Sequence, residues 1–139
     1  MIDSFALYIS FLKKQFSHYC SKRLMEKGVT FGQLFIIIFV GKKESCTPKE
    51  ICQGLNLDAG HLNRTINKLV ENDILIQKKN ANDKRSNIIT LSNKGKEVLE
   101  MSYALFYEWD NILLDCLDES EKEMLIKIMR KIVFSAKKL

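Results

Sequence analysis

Hydrophobic side chains recur at three- and four-residue spacings along most of this chain, the spacing of amphipathic helices. The pattern predicts helices over residues 2–27, 58–72 and 93–116, and a last one that begins near residue 118. One proline and six glycines interrupt 139 residues, so few positions oppose helix formation. The chain is therefore predicted to be mostly α-helical.

The most apolar run, Leu34–Val40, fits two secondary structures. Its β-branched residues at positions 36–38 suit a buried strand. Thr30 and Gln33, however, form the Ser/Thr-x-x-Glu/Gln pattern of a capping box, in which each side chain accepts the other residue's backbone N–H at a helix start. We predict a central helix over residues 31–42 and keep the strand as the alternative.

A second capping box follows at Thr47 and Glu50, with Pro48 at the first helical position, where its missing N–H costs nothing. The helix that begins there is short, and Asn56 belongs to the turn that ends it. Asp58 then suits the N-cap of the next helix. Two helices joined by a short turn predict a helix-turn-helix unit.

The helix predicted over residues 58–72 has two different faces at 100° per residue. Its apolar face carries Leu62, Ile66, Leu69 and Val70. Its opposite face carries Gly60, His61, Arg64, Asn67, Lys68 and Glu71. Such a helix can anchor one side in a core while the N-terminal half of the other side enters a DNA major groove. The competing interpretation is the solvated face of an ordinary core helix.

A hairpin is predicted directly after this helix. Residues 74–77 and 87–91 are strand-like, and the segment between them, Lys78–Ser86, is basic and contains the turn formers Asn80, Asn82 and Asp83. A helix-turn-helix followed by a hairpin with a long basic loop is a winged helix-turn-helix.

The remaining long helices lie outside this small domain and carry apolar stripes of their own, which need another surface to cover them. A two-fold dimer is the simplest source of such a surface. The predicted fold class is mostly α: a winged helix-turn-helix with a two-stranded wing, flanked by long N- and C-terminal dimerisation helices. The predicted divisions are a dimerisation helix at 1–28, a DNA-binding domain at 29–91 and further dimerisation helices at 92–139.

Composition limits the classes of protein that fit. The net charge of +5 lies in the first two-thirds, since residues 88–139 hold eight Lys/Arg against nine Asp/Glu, and this weakly favours a polyanionic partner. The apolar run is too short for a membrane span, and Asp3 replaces the basic start of a secretory signal. Four widely spaced cysteines favour reduced thiols over disulfides or a zinc site. We predict a cytoplasmic protein without a metal or cofactor.

The ordered motifs resemble the MarR family of transcriptional regulators over essentially the whole chain. The resemblance rests on Thr30-x-x-Gln33, on Leu57–Leu62 at the helix start, and on Lys68–Ile76 leading into the hairpin. Its most specific part is Asn82–Gly95, which is similar to the family's Asp-x-Arg wing followed by Leu-Thr-x-x-Gly.

The resemblance implies a homodimer that binds double-stranded operator DNA and is often released by a small-molecule effector or an oxidant. By the matching positions, Arg85 reaches the minor groove and Asp83 orients the wing. The candidates for major-groove contact are His61, Asn63, Arg64, Asn67 and Lys68, with Gly60 beside them. The candidates for phosphate contact are Lys49, Lys78, Lys79 and Lys84.

The chain departs from the family at several positions. Asp73 stands where glycine is common and Ser92 where threonine is common, and both replacements are chemically tolerable. The start of the helix over 58–72 is unusual, so no operator sequence can be inferred. Ser4 stands where the peroxide-sensing branch has its reactive cysteine, so that mechanism does not transfer.

The four cysteines leave a different redox mechanism open. Cys20, near basic residues, and Cys46, just before a helix, could have lowered thiol pKa values, although inert thiols are the favoured interpretation. Cys52 and Cys116 are expected in the core.

We interpret the chain as a sequence-specific DNA-binding regulator, a repressor in the favoured form. The alternatives are a winged-helix protein–protein adaptor without DNA binding and a thiol-based redox-sensing regulator. An enzyme is the least favoured class, because no nucleophile–base pair or phosphate-binding loop is evident. Six aromatic residues could line an effector pocket, although core or dimer packing is the default: Phe31, Phe35, Tyr103, Phe106, Tyr107 and Trp109.

Overall fold

The computed structural model describes residues 2–136 of the chain. Its elements, in order, are α1 (Phe5–Glu26), α2 (Phe31–Lys43), α3 (Pro48–Leu55), α4 (Ala59–Glu71), β1 (Leu75–Lys79), β2 (Asn87–Leu91), α5 (Asn93–Leu113), a 3-10 turn (Leu114–Cys116) and α6 (Glu119–Ala136). This order confirms the predicted winged helix-turn-helix with flanking helices. The elements fall into two compact units, unit 1 (Met1–Leu105) and unit 2 (Phe106–Leu139).

The predicted capping boxes hold the starts of α2 and α3. The Thr30 hydroxyl accepts the Gln33 N–H at 3.2 Å, and the Gln33 side chain accepts the Thr30 N–H at 3.0 Å. Thr47 and Glu50 make the same exchange at 3.2 and 3.1 Å. The helical interpretation of residues 31–42 is therefore confirmed, and the strand alternative is wrong.

Helices α1 and α4 end in the same hydrogen-bonded motif, and α3 ends similarly, with the Leu57 N–H on the Cys52 carbonyl and Asn56 at φ 52°. At the end of α1 the Val29 N–H reaches the Leu24 carbonyl, and at the end of α4 the Ile74 N–H reaches the Leu69 carbonyl, at 3.0 and 2.8 Å. Both are Schellman motifs, which require a left-handed residue just past the helix. Gly28 supplies it for α1 with φ 71°, and Asp73 supplies it for α4 with φ 61°.

The wing contains one more strand pairing than the sequence predicted. β1 and β2 are antiparallel, with Leu75 opposite Leu91 and Lys79 opposite Asn87. Cys46 also pairs with Ile89, in an isolated bridge on the other side of β2. The segment just before α3 is therefore bonded to the wing at a single residue pair, while the sheet itself keeps two strands.

The core of unit 1 lies beneath the helix-turn-helix. α3 packs on α2 and α4, and α4 packs on β1. Leu62, Ile66 and Leu69 on α4 are buried as predicted. The expectation for Val70 is wrong, because this side chain is 37% exposed. Thr65 is buried in that face instead, and its hydroxyl donates to the His61 carbonyl at 3.0 Å.

The apolar side chains of α6 are not buried. No residue of this helix is buried, and its large apolar side chains are exposed or half-buried. The N-terminal half of α1 is similar, with Phe5 55% and Phe11 60% exposed. Between residues 2 and 136 no single helix is long and apolar enough to cross a membrane. α1 and α2 meet those limits only as a pair, bent by 77°.

Candidate nucleic-acid interface

The outer face of α4 presents polar side chains from a firmly capped helix start. The Asp58 carboxylate accepts the His61 N–H at 2.9 Å, which satisfies a backbone donor of the first turn. All six predicted residues of this helix are exposed: Gly60, His61, Asn63, Arg64, Asn67 and Lys68. Because Leu62 and Leu69 are fully buried on the other side, the helix cannot roll to hide this face.

An open groove runs between α4 and the first turn of α2. Its volume is about 300 Å³, and it is lined by Thr30, Gly32, Gln33, Ile36, Leu57, His61, Arg64, Thr65 and Lys68. We call it the α2–α4 groove. Arg64 and Lys68 give it positive charge, and Gly32 leaves open space at the start of α2. The α2 residues of this groove were not predicted from the sequence, because nothing local to them indicates that α4 lies alongside.

The wing carries the second group of predicted residues. Lys78 and Lys79 lie within β1 rather than in the loop, a small correction to the predicted strand end. At the tip, the Asp83 carboxylate accepts the Arg85 N–H at 3.0 Å, and the Asp83 carbonyl accepts the Ser86 N–H at 3.2 Å. Asp83 thereby shapes the backbone on which Arg85 stands.

The predicted site residues are thus distributed over three elements. Lys49 is exposed in the first turn of α3, and Lys78, Lys79, Asp83, Lys84 and Arg85 are exposed on the wing. Together with those of α4, they make twelve exposed residues, of which seven are lysine or arginine and one is acidic. A surface with this charge balance and with amide side chains suits a polyanion that also offers hydrogen-bonding groups.

The burial and thiol pKa values of the cysteines differ from what their neighbours in the sequence suggested. Cys20 and Cys46 are buried, and burial raises the thiol pKa of each from the ordinary value near 9.0 to about 11. Glu50 raises the pKa of Cys46 further, and Lys43 opposes that effect. The suggestion of a lowered pKa at either thiol is wrong. Cys52 is half-buried and Cys116 is exposed, so Cys116 is not the core residue that was expected.

Two of the six aromatic residues, Phe31 and Phe35, make packing contacts within unit 1, and Phe35 also lines an apolar cavity of about 300 Å³ with Leu55 and Leu57. The Phe31 ring lies edge-to-face on Phe16 and on Phe35, with ring centroids 5.6 and 5.2 Å away. Such pairs add to the stability that area burial provides. Among residues 2–136, no group of three or more His, Cys, Asp or Glu side chains is placed to hold a metal ion.

Comparisons of sequence identify related proteins. A model described as MarR family matches residues 27–86. The HTH-type transcriptional regulator BilQ of Clostridium symbiosum (strain WAL-14163) is 32% identical over 132 residues, which are 95% of this chain and 92% of that protein. The regulator of the same name in Clostridioides difficile (strain CD3) is 30% identical over 125 residues, 90% of this chain and 84% of that protein.

Comparisons of structure agree on the fold. The reduced form of MarR from E. coli matches with a TM-score of 0.85 at 23% identity, covering 95% of this chain and 98% of that one. A MarR variant from E. coli complexed with operator DNA matches with a TM-score of 0.77 at 22% identity, covering 91% of each chain.

Proposed function

Because the chain belongs to the MarR family, we propose that it is a transcriptional regulator that binds double-stranded operator DNA as a homodimer. The observation that carries the proposal is the pairing of two features. α4 fixes one face in the core and exposes hydrogen-bonding side chains on the other, and the wing presents an arginine beside three lysines. We propose the twelve exposed residues as the DNA-binding surface.

The face of α4 reads bases in the major groove. Arginine pairs with guanine and asparagine pairs with adenine through two hydrogen bonds each, so Arg64, Asn63 and Asn67 have suitable chemistry. His61 and Lys68 extend the same face, and Gly60 keeps the helix start narrow. These positions determine which operator is preferred.

Lysines on α3 and the wing hold the DNA backbone. Lys49, Lys78, Lys79 and Lys84 are exposed and bind phosphates, which adds affinity without sequence information. Arg64 and Lys68 also line the α2–α4 groove, and they make this edge of the exposed α4 face basic. Arg85 enters the minor groove, where a narrow A·T-rich segment has an enhanced negative potential, and Asp83 holds the backbone of the tip.

Dimerisation covers the exposed apolar side chains of α1 and α6. Patches of this kind mark interaction surfaces in proteins that otherwise bury their apolar residues. A two-fold dimer presents two copies of α4 about one DNA turn apart, which matches a palindromic operator. The flanking segments 1–28 and 92–139 then serve dimerisation, and residues 29–91 bind DNA.

Repression follows if the dimer occupies a promoter. A small-molecule effector releases it by favouring a conformation in which the two copies of α4 no longer match their half-sites. Operator binding also requires a cytoplasmic location. The relatives named as HTH-type transcriptional regulators support a role in transcription.

Fluorescence anisotropy tests the proposal. The DNA upstream of the chain's own gene and a scrambled duplex of equal length are titrated with the protein across a salt series. We expect tighter binding to the upstream DNA, with log affinity falling steeply with log salt, because several phosphate contacts are made. Arg85→Ala is expected to weaken specific binding by about tenfold, from the loss of one groove-inserted arginine.

The matched control is Lys127→Ala, which removes an exposed positive charge from α6, outside the proposed surface. It is expected to leave affinity and salt dependence unchanged. A folded dimer that binds neither duplex at low salt would overturn the DNA-binding proposal and favour an adaptor. Equal losses in Arg85→Ala and Lys127→Ala would overturn the role of the wing.

A further inference from the structure

Three segments that are distant in sequence meet at the C-terminal end of α4. The Asn72 side-chain amide donates to the Gly28 carbonyl at 3.2 Å, across 44 residues of sequence. The Lys94 ammonium donates to the Asn72 carbonyl at 3.0 Å. Asn72 therefore links the end of α4 both to the turn between α1 and α2 and to the first turn of α5. We call Gly28, Asn72 and Lys94 together the Asn72 junction.

The neighbouring backbone reinforces this junction. The Ser92 hydroxyl donates to the Asp73 carbonyl, and the Ser92 N–H donates to the Ile74 carbonyl at 3.0 Å. Gly95 approaches the Ile74 carbonyl so closely that a Cβ atom there would overlap the oxygen. The first turn of α5 therefore packs directly against Asp73 and Ile74, the residues that follow the end of α4.

The length of α4 makes its N-terminal half sensitive to the position of its C-terminal end. The Asp58 side chain caps the N-terminal end of α4, the helix packs on α3, and the junction bonds its C-terminal end to Gly28 and Lys94. His61 lies about 16 Å from Asn72 along the axis, so a tilt of about 5° at the C-terminal end moves it by roughly 1.4 Å. Hydrogen bonds to base edges do not survive displacements of that size.

We propose that Asn72 is a positioning residue for operator recognition: it does not contact DNA, and it fixes the angle of α4 against α1 and α5. The inference rests on the proposed function and assigns a role to a residue outside the DNA-binding surface. A residue that only positions α4 affects discrimination between sequences, because specific contacts need exact placement and phosphate contacts tolerate movement.

The test compares Asn72→Ala with the unaltered chain on the upstream and scrambled duplexes. Loss of one exposed hydrogen bond is expected to weaken specific binding by about threefold to tenfold. Binding to scrambled DNA and the slope of log affinity against log salt are expected to stay unchanged, since no phosphate contact is lost. Asn72→Gln keeps an amide that can reach Gly28 and is expected to recover part of the affinity.

Two further variants separate positioning from other roles. Asn93→Ala removes an exposed asparagine from the start of α5 and is the matched control, with affinity unchanged. Lys94→Met breaks the second link while keeping most of the side-chain stem. It is expected to lower discrimination as Asn72→Ala does, again without a change in salt slope. A slope lowered by about one would identify Lys94 as a phosphate contact instead.

Hydrogen exchange provides a readout that does not need DNA. Asn72→Ala is expected to speed amide exchange in residues 26–31 and 70–75, with the melting temperature nearly unchanged. If the unaltered chain discriminates between the duplexes and Asn72→Ala does so equally well, the positioning role is overturned. If the unaltered chain does not discriminate, the proposed function and this role fall together, and a changed exchange pattern would show a structural junction alone.

Discussion

Helices α4 and α6 both carry apolar side chains at helical spacing, but only α4 buries them. In α4, Leu62, Ile66 and Leu69 are almost completely buried. In α6, Ile126, Ile128 and Val133 are each more than 40% exposed. The first region is stabilised by its own packing, whereas the second exposes the surface that we propose for dimerisation. We therefore expect stability and dimerisation to depend on different residues, which can be altered separately.

The largest effect is expected from the buried side of this comparison. Leu62→Ala leaves a cavity in a fully packed site and is expected to lower the free energy of unfolding by about 2–5 kcal/mol. Val70→Ala, on the same helix but partly exposed, is expected to change it by about 0.5 kcal/mol or less. Urea unfolding of both variants measures the difference. Equal losses would show that α4 is not anchored through Leu62.

The exposed apolar side chains of α6 are tested by introducing negative charges rather than by shortening the side chains. Ile128→Asp combined with Ile132→Asp places two carboxylates in the surface that we propose for dimerisation. We expect sedimentation at the mass of one chain, retained helical circular dichroism and a loss of about a hundredfold in operator affinity, because the second half-site no longer contributes. Lys127→Ala should stay dimeric. A dimer that persists with both aspartates would contradict the assigned surface.

Alkaline pH is expected to affect the buried region through its thiols. The unfolded thiols ionise near pH 9, whereas Cys20 and Cys46, with pKa values raised to about 11 by burial, stay protonated in the folded state. The folded chain holds more protons between about pH 9 and 11, so the free energy of unfolding falls as pH rises through that window and is unaffected below it. Urea unfolding against pH measures the slope.

Replacing both buried thiols, with Cys20→Ala and Cys46→Ala, is expected to make that decline shallower. Cys116→Ala, which removes an exposed thiol, is the control and should leave the slope unchanged. A slope that is the same in all variants would mean that the buried thiols do not cause it.

The smallest effect on stability is expected at the Schellman motif that ends α4. Asp73 holds a left-handed conformation that glycine adopts without steric cost, so Asp73→Gly is expected to raise the free energy of unfolding by about 0.5 kcal/mol. Glu71→Gly, inside α4, should lower it by about 1 kcal/mol. Thermal unfolding of the two variants shows whether the free energy of unfolding rises in Asp73→Gly and falls in Glu71→Gly. A loss of stability in Asp73→Gly would show that the carboxylate makes a contribution larger than the backbone strain.

Features that depend on nearby residues were predictable from the sequence. Thr30 with Gln33, and Thr47 with Glu50, form the bonds that their three-residue spacing indicates. The same holds at the start of α4, where Asp58 caps His61. Each of these interactions lies within one helical turn, so nearby residues are enough to specify it. For this reason the predicted helix boundaries agree with the observed ones to within a few residues.

Features that join distant segments were not predictable. Nothing near Cys46 indicates its pairing with Ile89, and nothing near Asn72 indicates the Gly28 carbonyl. Thr65 shows a related limit: its hydroxyl is satisfied within its own helix, so a polar residue could replace an expected apolar one in the core. The residues that we propose as the DNA-binding surface follow from the α4 pattern and the wing in the sequence, whereas the α2 side of the groove could be identified only from the fold.

The bridge between Cys46 and Ile89 has a consequence for the order in which the protein forms. Their two backbone hydrogen bonds, 3.1 and 2.7 Å long, close a segment that contains α3, α4 and β1. Bringing the ends of such a long segment together loses chain entropy, so we expect this pairing to follow the ordering of the helices inside it. During synthesis the helix-turn-helix can therefore be folded before the wing is seated, and the wing completes the surface last.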